Sequence, residues 1–206
     1  MVIATRLEVT NLSLARGPRV LFRELSFKVE AGEAVVLMGE NGAGKTSLLR
    51  AIGGLLKPIE GRIGFGALHG DHDFVEVIRE QTHLIGHADG LAGSRSARAE
   101  LFFAVDWMKG SRENALRAAD ALGLARVLDL EVRKLSAGQR RRLALIRLVA
   151  APRALWLLDE PMTALDASSR AWLAQQMVAH LDAGGLFVAA AHDPLPIAAA
   201  AMRIGR

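Results

Sequence analysis

"AVVLMGENGAGKTSLLRAIGGLL", residues 34–56, runs a strand pattern, a glycine-rich turn and a helix pattern end to end. Ala34 to Met38 is a short apolar run of the length of a buried strand. Leu48, Leu49, Ile52, Leu55 and Leu56 recur at helical spacing until Pro58 forbids much further helix. Between them Gly39, Gly44, Lys45 and Thr46 complete G-x-x-x-x-G-K-[ST]. That order makes a phosphate cradle. The glycines let the N–H groups of Gly39, Glu40, Asn41, Gly42, Ala43 and Gly44 converge on one anion, and the helix that follows adds the positive end of its dipole. Lys45 is expected to reach the β and γ phosphates of a nucleoside triphosphate. The Thr46 hydroxyl, with Ser47 beside it in the first turn, is expected to face the Mg2+ that accompanies such a ligand.

Working outward, "RALWLLDEPMTALD" (153–166) holds a second buried strand, Leu155 to Leu158, ending in Asp159 and Glu160. Open α/β sheets place ligands at the carboxyl ends of their strands, so Asp159 suits the Mg2+ shell. Glu160 suits the general base that polarises an attacking water. A third apolar run, "LFVAAAHDP" (186–194), ends near His192, whose imidazole serves either as a donor to the γ phosphate or as a structural hydrogen-bonding group. Lysine, a carboxylate pair and histidine at three strand ends describe a nucleoside triphosphatase with its site along one edge of a sheet.

The wider composition agrees. A chain of 206 residues with half its residues hydrophobic supports one domain with attached subdomains, and no Pro/Ser/Gly tract suggests a linker. No apolar run reaches the ~18 residues that span a bilayer, and the start "MVIATRLEV" lacks a signal peptide's pattern, so the chain is expected in the cytoplasm unless a partner brings it to a membrane. The absence of cysteine excludes disulfide frameworks and thiolate metal sites. A net charge of +4 admits nucleic acid, an acidic membrane surface or a phosphorylated ligand.

"KLSAGQRRRLAL" (134–145) poses a separate question. Ser136 and Gln139 fit a capping box, and Leu143, Leu145, Ile146, Leu148 and Val149 supply a buried face. Yet Arg140, Arg141 and Arg142 crowd the helix start, where the dipole disfavours cations. Either an anion docks there or the arginines lie on a solvated face. A further helix is predicted over 111–128, with Ser111 as cap, Glu113 in its first turn, and Leu116, Ala119, Leu122 and Leu124 inward.

Together these segments resemble the ATP-binding cassette (ABC) family over nearly the whole chain. Gly39 to Thr46 resembles the Walker A motif, Leu135 to Gln139 the signature sequence, and Leu155 to Glu160 the Walker B strand with its catalytic glutamate. Ala164 to Asp166 resembles the D-loop, and His192 the switch histidine. The resemblance implies an α/β fold: a P-loop NTPase core with a mixed, mostly parallel sheet, an antiparallel β subdomain, and a helical subdomain over about 84–148, all in a single ABC ATP-binding domain. It implies ATP and Mg2+ as ligands and head-to-tail pairing with a second ATP-binding subunit. In such a pair Ser136, Ala137, Gly138 and Gln139 meet the ATP of the other copy. It also implies an integral membrane permease as partner, at the cytoplasmic face of the cell membrane, with no nucleic acid expected.

Two positions depart from the family pattern. No aromatic residue follows the first strand, and the chain has no tyrosine, so Arg16 is the candidate to stack on adenine. In "LIGHADGLAG" (84–93), His87 or, by a one-residue shift of alignment, Ala88 stands where the family's Q-loop glutamine is expected, and His87 is the candidate for that position. Within the family, "LFRELSF", "IGHADGL" and the tryptophan of "LWLLDEPMTALD" resemble the ATP-binding subunits of the cytochrome c maturation system, which implies haem-handling partners. The histidines His69, His72, His83 and His87 nevertheless read as solvated residues rather than haem ligands.

Overall fold

The computed structural model describes residues 6–66, 68–69 and 72–204. These fall into two compact units: one drawn from Met1–Leu84, Arg153–Pro161 and Met177–Arg206, the other from Ile85–Pro152 and Met162–Gln176.

The first unit contains two sheets. Strands β1 (Arg6–Arg16) and β2 (Arg19–Glu30) form a long antiparallel hairpin around Gly17, whose φ of +58° suits the turn. With β3 reserved for Ala34–Met38, β4 (Glu60–Phe65) and the short β5 (Leu68–His69) complete the order β2-β1-β4-β5. Leu7, Val9, Leu12 and Leu14 of β1 are buried in the core beneath this sheet. The second sheet contains β3, β6 (Thr82–Ile85), β7 (Leu155–Asp159), β8 (Leu186–Ala190) and β9 (Ala200–Arg203), in the order β6-β7-β8-β3-β9. The β7/β8, β8/β3 and β3/β9 pairs are parallel, and every residue of β7 and β8 is buried. Strands covered on both faces read as unbroken apolar runs, which is why these segments were legible.

Register decides where the loops emerge. Leu37 and Asp159 both pair with Ala190, so three strands end abreast. The ladder continues past them: Glu160 N–H donates to the Ala190 carbonyl at 2.8 Å, and Ile204 N–H to that of Met38, also at 2.8 Å. Helix α1 (Lys45–Ile52) follows the glycine loop. It stops at Gly53–Gly54, earlier than the leucine spacing predicts; Gly54 has φ +69°, and Leu55 is left 58% exposed. The next helix, α2 (His72–Gln81), leads into β6.

The second unit is helical: α3 (Ala97–Trp107), α4 (Arg112–Ala121), α5 (Ala137–Leu145) and α6 (Arg147–Ala150) enclose a core that includes Leu101, Val105, Ala119, Leu143 and Ile146. Helix α7 (Ala167–Asp182) starts in this unit and ends in the first. Ser111 caps α4 as expected, accepting from Asn114 N–H at 3.2 Å. The predicted inward face holds at Ala119, Leu122 and Leu124, all buried, and is corrected at one position. Leu116 is partly exposed while Ala115, Ala118 and Ala119 are buried, because this helix packs through a small-residue face and ends at Ala121.

Candidate functional site

The glycine loop at the end of β3 adopts backbone angles that side chains resist. Gly39 has φ +147°, and a Cβ there would lie 2.3 Å from the Ile204 carbonyl oxygen; Gly42 and Gly44 also have positive φ. Lys45, at the start of α1, is 8% exposed and donates to the carbonyls of Gly39 at 2.6 Å and Glu40 at 3.1 Å. An ammonium group has three donors, so one remains to meet phosphate while two brace the loop. Over the loop lies a cavity of about 890 Å3 lined by residues 39–43, His192, Arg19 and Arg203. Arg16 is not part of this lining. It ends β1 as a regular, exposed strand residue, while its register partner Arg19 lines the cavity.

The Thr46 hydroxyl donates to Asp159 Oδ2 at 2.9 Å, bringing two hard oxygen ligands together from α1 and β7. Asp159 is 4% exposed. Among the described residues no group of three or more His, Asp or Glu is placed to hold a metal ion. The Thr46 hydroxyl and Asp159 carboxylate are hard oxygen donors of the kind Mg2+ accepts, an ion that typically takes one or two protein ligands and completes its shell with water and phosphate oxygens.

Beyond Asp159 the chain turns sharply. Glu160 has φ +48°, a conformation that costs a non-glycine residue energy. Its carboxylate lies 3.6 Å from His192 Nε2, too far for a hydrogen bond and close enough for attraction once the imidazole is protonated. Gly39, Lys45, Thr46, Asp159, Glu160 and His192, singled out in the sequence, lie along one strand-end edge of the first unit.

In the second unit, Ser136 caps α5 through the full reciprocal box: Gln139 N–H donates to Ser136 Oγ at 3.2 Å, and Ser136 N–H to Gln139 Oε1 at 2.8 Å. The solvated-face alternative for the arginine run is overturned for Arg141, which is 4% exposed and donates to the Gly86 carbonyl at 2.7 Å and to Asp89 at 3.1 Å. Arg142 meets Asp166 at 3.3 Å, and Arg140 donates to the Leu135 carbonyl at 2.6 Å. Local partners thus offset the dipole penalty, about 0.3–1 kcal/mol per cation. Asp166 caps α7, accepting from Ser169 N–H at 2.8 Å and the Ser168 hydroxyl at 2.9 Å. Hydrogen bonds from the Ser169 hydroxyl and N–H, then Ser168, hold its pKa down at about 2, with Arg142 adding to the effect. Arg147, half-buried nearby, is pulled down to about 10 by burial.

His87 is exposed. His83 corrects the sequence expectation: it occupies an inward position of β6 and is 2% exposed. The side chains of His69 and His72 fall outside the described residues. Sequence reasoning missed Arg19 and Arg203, which carry no motif, and the stacking of Trp156 on His180 at 3.9 Å between ring centroids.

With this geometry in view, the ABC transporter family profile matches residues 22–163, well over half of the chain. The chain belongs to the ABC transporter family. It is 45% identical over 200 residues to a cytochrome c biogenesis ATP-binding export protein CcmA from Rhodopseudomonas palustris strain HaA2, and 48% identical to the CcmA of strain BisB18. Each alignment covers 97% of this chain and 98% of the relative. Among solved structures, an Atm1-family bacterial ABC exporter with ATP bound superimposes with a TM-score of 0.83 at 23% identity, over 100% of this chain and 38% of that one. A dimeric ATP-binding cassette in a post-hydrolysis state with ADP and Pi gives 0.79 at 24% identity, covering 91% and 88% of the two chains. These two structures support the fold. The protein is an ABC ATPase subunit. No helix among its described residues is long and apolar enough to cross a membrane.

Proposed function

We propose that this ABC ATPase drives a membrane permease in c-type cytochrome biogenesis, at the cytoplasmic face of the cell membrane, where ATP turnover exports haem or releases it to a haem-handling protein. The observation that carries the reading is end-to-end identity of 45% and 48% with proteins named for cytochrome c biogenesis export.

The proposed mechanism assigns each step to a side chain. N–H groups of residues 39–44 and the Lys45 ammonium bind the phosphates, and Ser47 supports them from the first turn of α1. Thr46 and Asp159 would hold Mg2+, which when bound neutralises charge on the β and γ phosphates. Glu160 takes the proton of the attacking water, and His192, adjacent to it, donates to the γ phosphate. Arg19, which lines the cavity, would stack on the adenine in place of Arg16. Two copies close on two nucleotides, with Ser136, Ala137, Gly138 and Gln139 of one presenting a capped helix N-terminus to the ATP of the other. His87 occupies the Q-loop position toward the permease.

The test is to express tagged Glu160→Gln chain in its host, solubilise membranes with ATP present and identify what co-purifies. Recovery of a multi-span permease with haem-handling proteins is expected. A different permease without haem proteins would discard the cytochrome assignment, and nucleic acid or ribosomes in its place would discard the transporter reading as well.

A further inference from the structure

Successive helical residues point about 100° apart, so three consecutive arginines fan around one side of a helix. Here each direction meets a different segment of the second unit. Arg140 returns to the Leu135 carbonyl, beside the Ser136 cap, at 2.6 Å. Arg141 spans the Gly86 carbonyl at 2.7 Å and Asp89 at 3.1 Å, with side-chain exposures of 5% and 19%. Arg142 reaches Asp166 Oδ2 at 3.3 Å. A second contact ties the same helix start to the Asp166 turn: a Cβ on Gly138 would lie 2.9 Å from the Ala164 carbonyl oxygen.

We propose that Arg141 and Arg142 are positioning residues that lash the 86–89 loop and the 164–166 turn to α5, so that the signature segment, the loop carrying His87 and the D-loop turn move as one body. Both Arg141 bonds leave from Nη1, whose two N–H donors reach the Gly86 carbonyl and the Asp89 carboxylate together. Burying the Arg141 cation is costly unless it is fully paired, so its place beneath the 86–89 loop makes the geometry of that loop depend on it. An anion engaged at the N-terminus of α5 then displaces both loops together. The transmission part rests on the ABC ATPase reading; the tethering itself does not.

The experiment therefore reads both. In the full chain, amide hydrogen exchange is compared for wild type, Arg141→Lys, which keeps the charge and loses the Nη1 donors, and Arg142→Gln. Exchange is expected to rise at least tenfold across 86–90 in Arg141→Lys and across 164–166 in Arg142→Gln, with the α3 and α4 amides unchanged. Equal exchange in the variants overturns the tethers, whatever the enzyme does. For transmission, Arg142→Gln, Asp166→Asn and their double variant are assayed for ATP hydrolysis; asparagine retains an acceptor for the α7 cap. Nucleotide affinity measured with a fluorescent ATP analogue is expected to stay within twofold of wild type. The expected kcat loss is at least tenfold in each single variant and no greater in the double, with the Hill coefficient falling toward one. Losses that multiply in the double variant, or an unchanged kcat, overturn transmission through the pair. Absence of hydrolysis in wild type itself would count against the ATPase reading and leave the exchange result to decide the tethers.

Discussion

Gly39→Ala puts the close approach of the phosphate loop to β9 to a quantitative test. The added Cβ would sit 2.3 Å from the Ile204 carbonyl oxygen and 3.4 Å from its carbon, and real Cβ contacts do not fall below 3.0 Å. Both partners are backbone, and Ile204 is pinned by its own hydrogen bond to the Met38 carbonyl, so neither gives way cheaply. Holding alanine at a φ of +147° adds conformational strain. Strain of about 1–3 kcal/mol and overpacking of about 1–3 kcal/mol together predict a loss of roughly 2–6 kcal/mol, a large share of a typical domain's stability. Relieving the overlap shifts the loop enough that turnover should drop by about 10²-fold. Gly42→Ala is the control: φ is also positive, at +82°, but nothing lies within 4 Å of its Cβ, so only strain of about 1–2 kcal/mol applies. Urea unfolding and phosphate release measured on both variants give the comparison. If Gly39→Ala unfolds no more easily than Gly42→Ala, the contact with Ile204 does not constrain the loop.

Other substitutions probe the remaining links. Thr46→Ala should raise the Mg2+ concentration for half-maximal hydrolysis by roughly tenfold or more, with Thr46→Ser restoring it, because the hydroxyl beside Asp159 is one of few hard ligands there. Leu143→Ala, at a site 2% exposed in the helical core, should cost about 2–5 kcal/mol by denaturant unfolding. Burial lowers the pKa of His180 from 6.5, so the unfolded chain binds its proton first. The stability this histidine contributes is complete above pH 6.5 and is lost as pH falls from there toward the folded-state value; midpoints measured between pH 7.5 and 5.5 should show that slope in wild type and a shallower one in His180→Phe.

Legibility in the sequence followed the range of the forces involved. Strands β3, β7 and β8 announced themselves because both faces are covered, and the glycine loop because its chemistry demands particular residues at particular spacing. Helix ends were harder to read. Leu55 continues the apolar spacing of α1, but Gly54 breaks the helix locally, and Leu116 yields its place to smaller alanines chosen by a neighbouring helix. Arg16 and Arg19 are indistinguishable as types and pair across the hairpin, and only the folded structure shows that Arg19 lines the cavity. Partners for Arg141 and Arg142 were illegible because Gly86, Asp89 and Asp166 lie far away along the chain.

The order β6-β7-β8-β3-β9 also bears on how the protein is made. Of these five strands β3 is synthesised first, yet its neighbours on either side, β8 and β9, are synthesised last. A ribosome therefore releases the phosphate loop long before the strands that brace it, and Gly39 meets Ile204 only after β9 has emerged. Until then β3 is an apolar strand with two open edges, a template for wrong pairing with other nascent chains. A nucleotide that recognises the completed arrangement would stabilise the late product of synthesis and offer little to the early segment that carries the glycine loop.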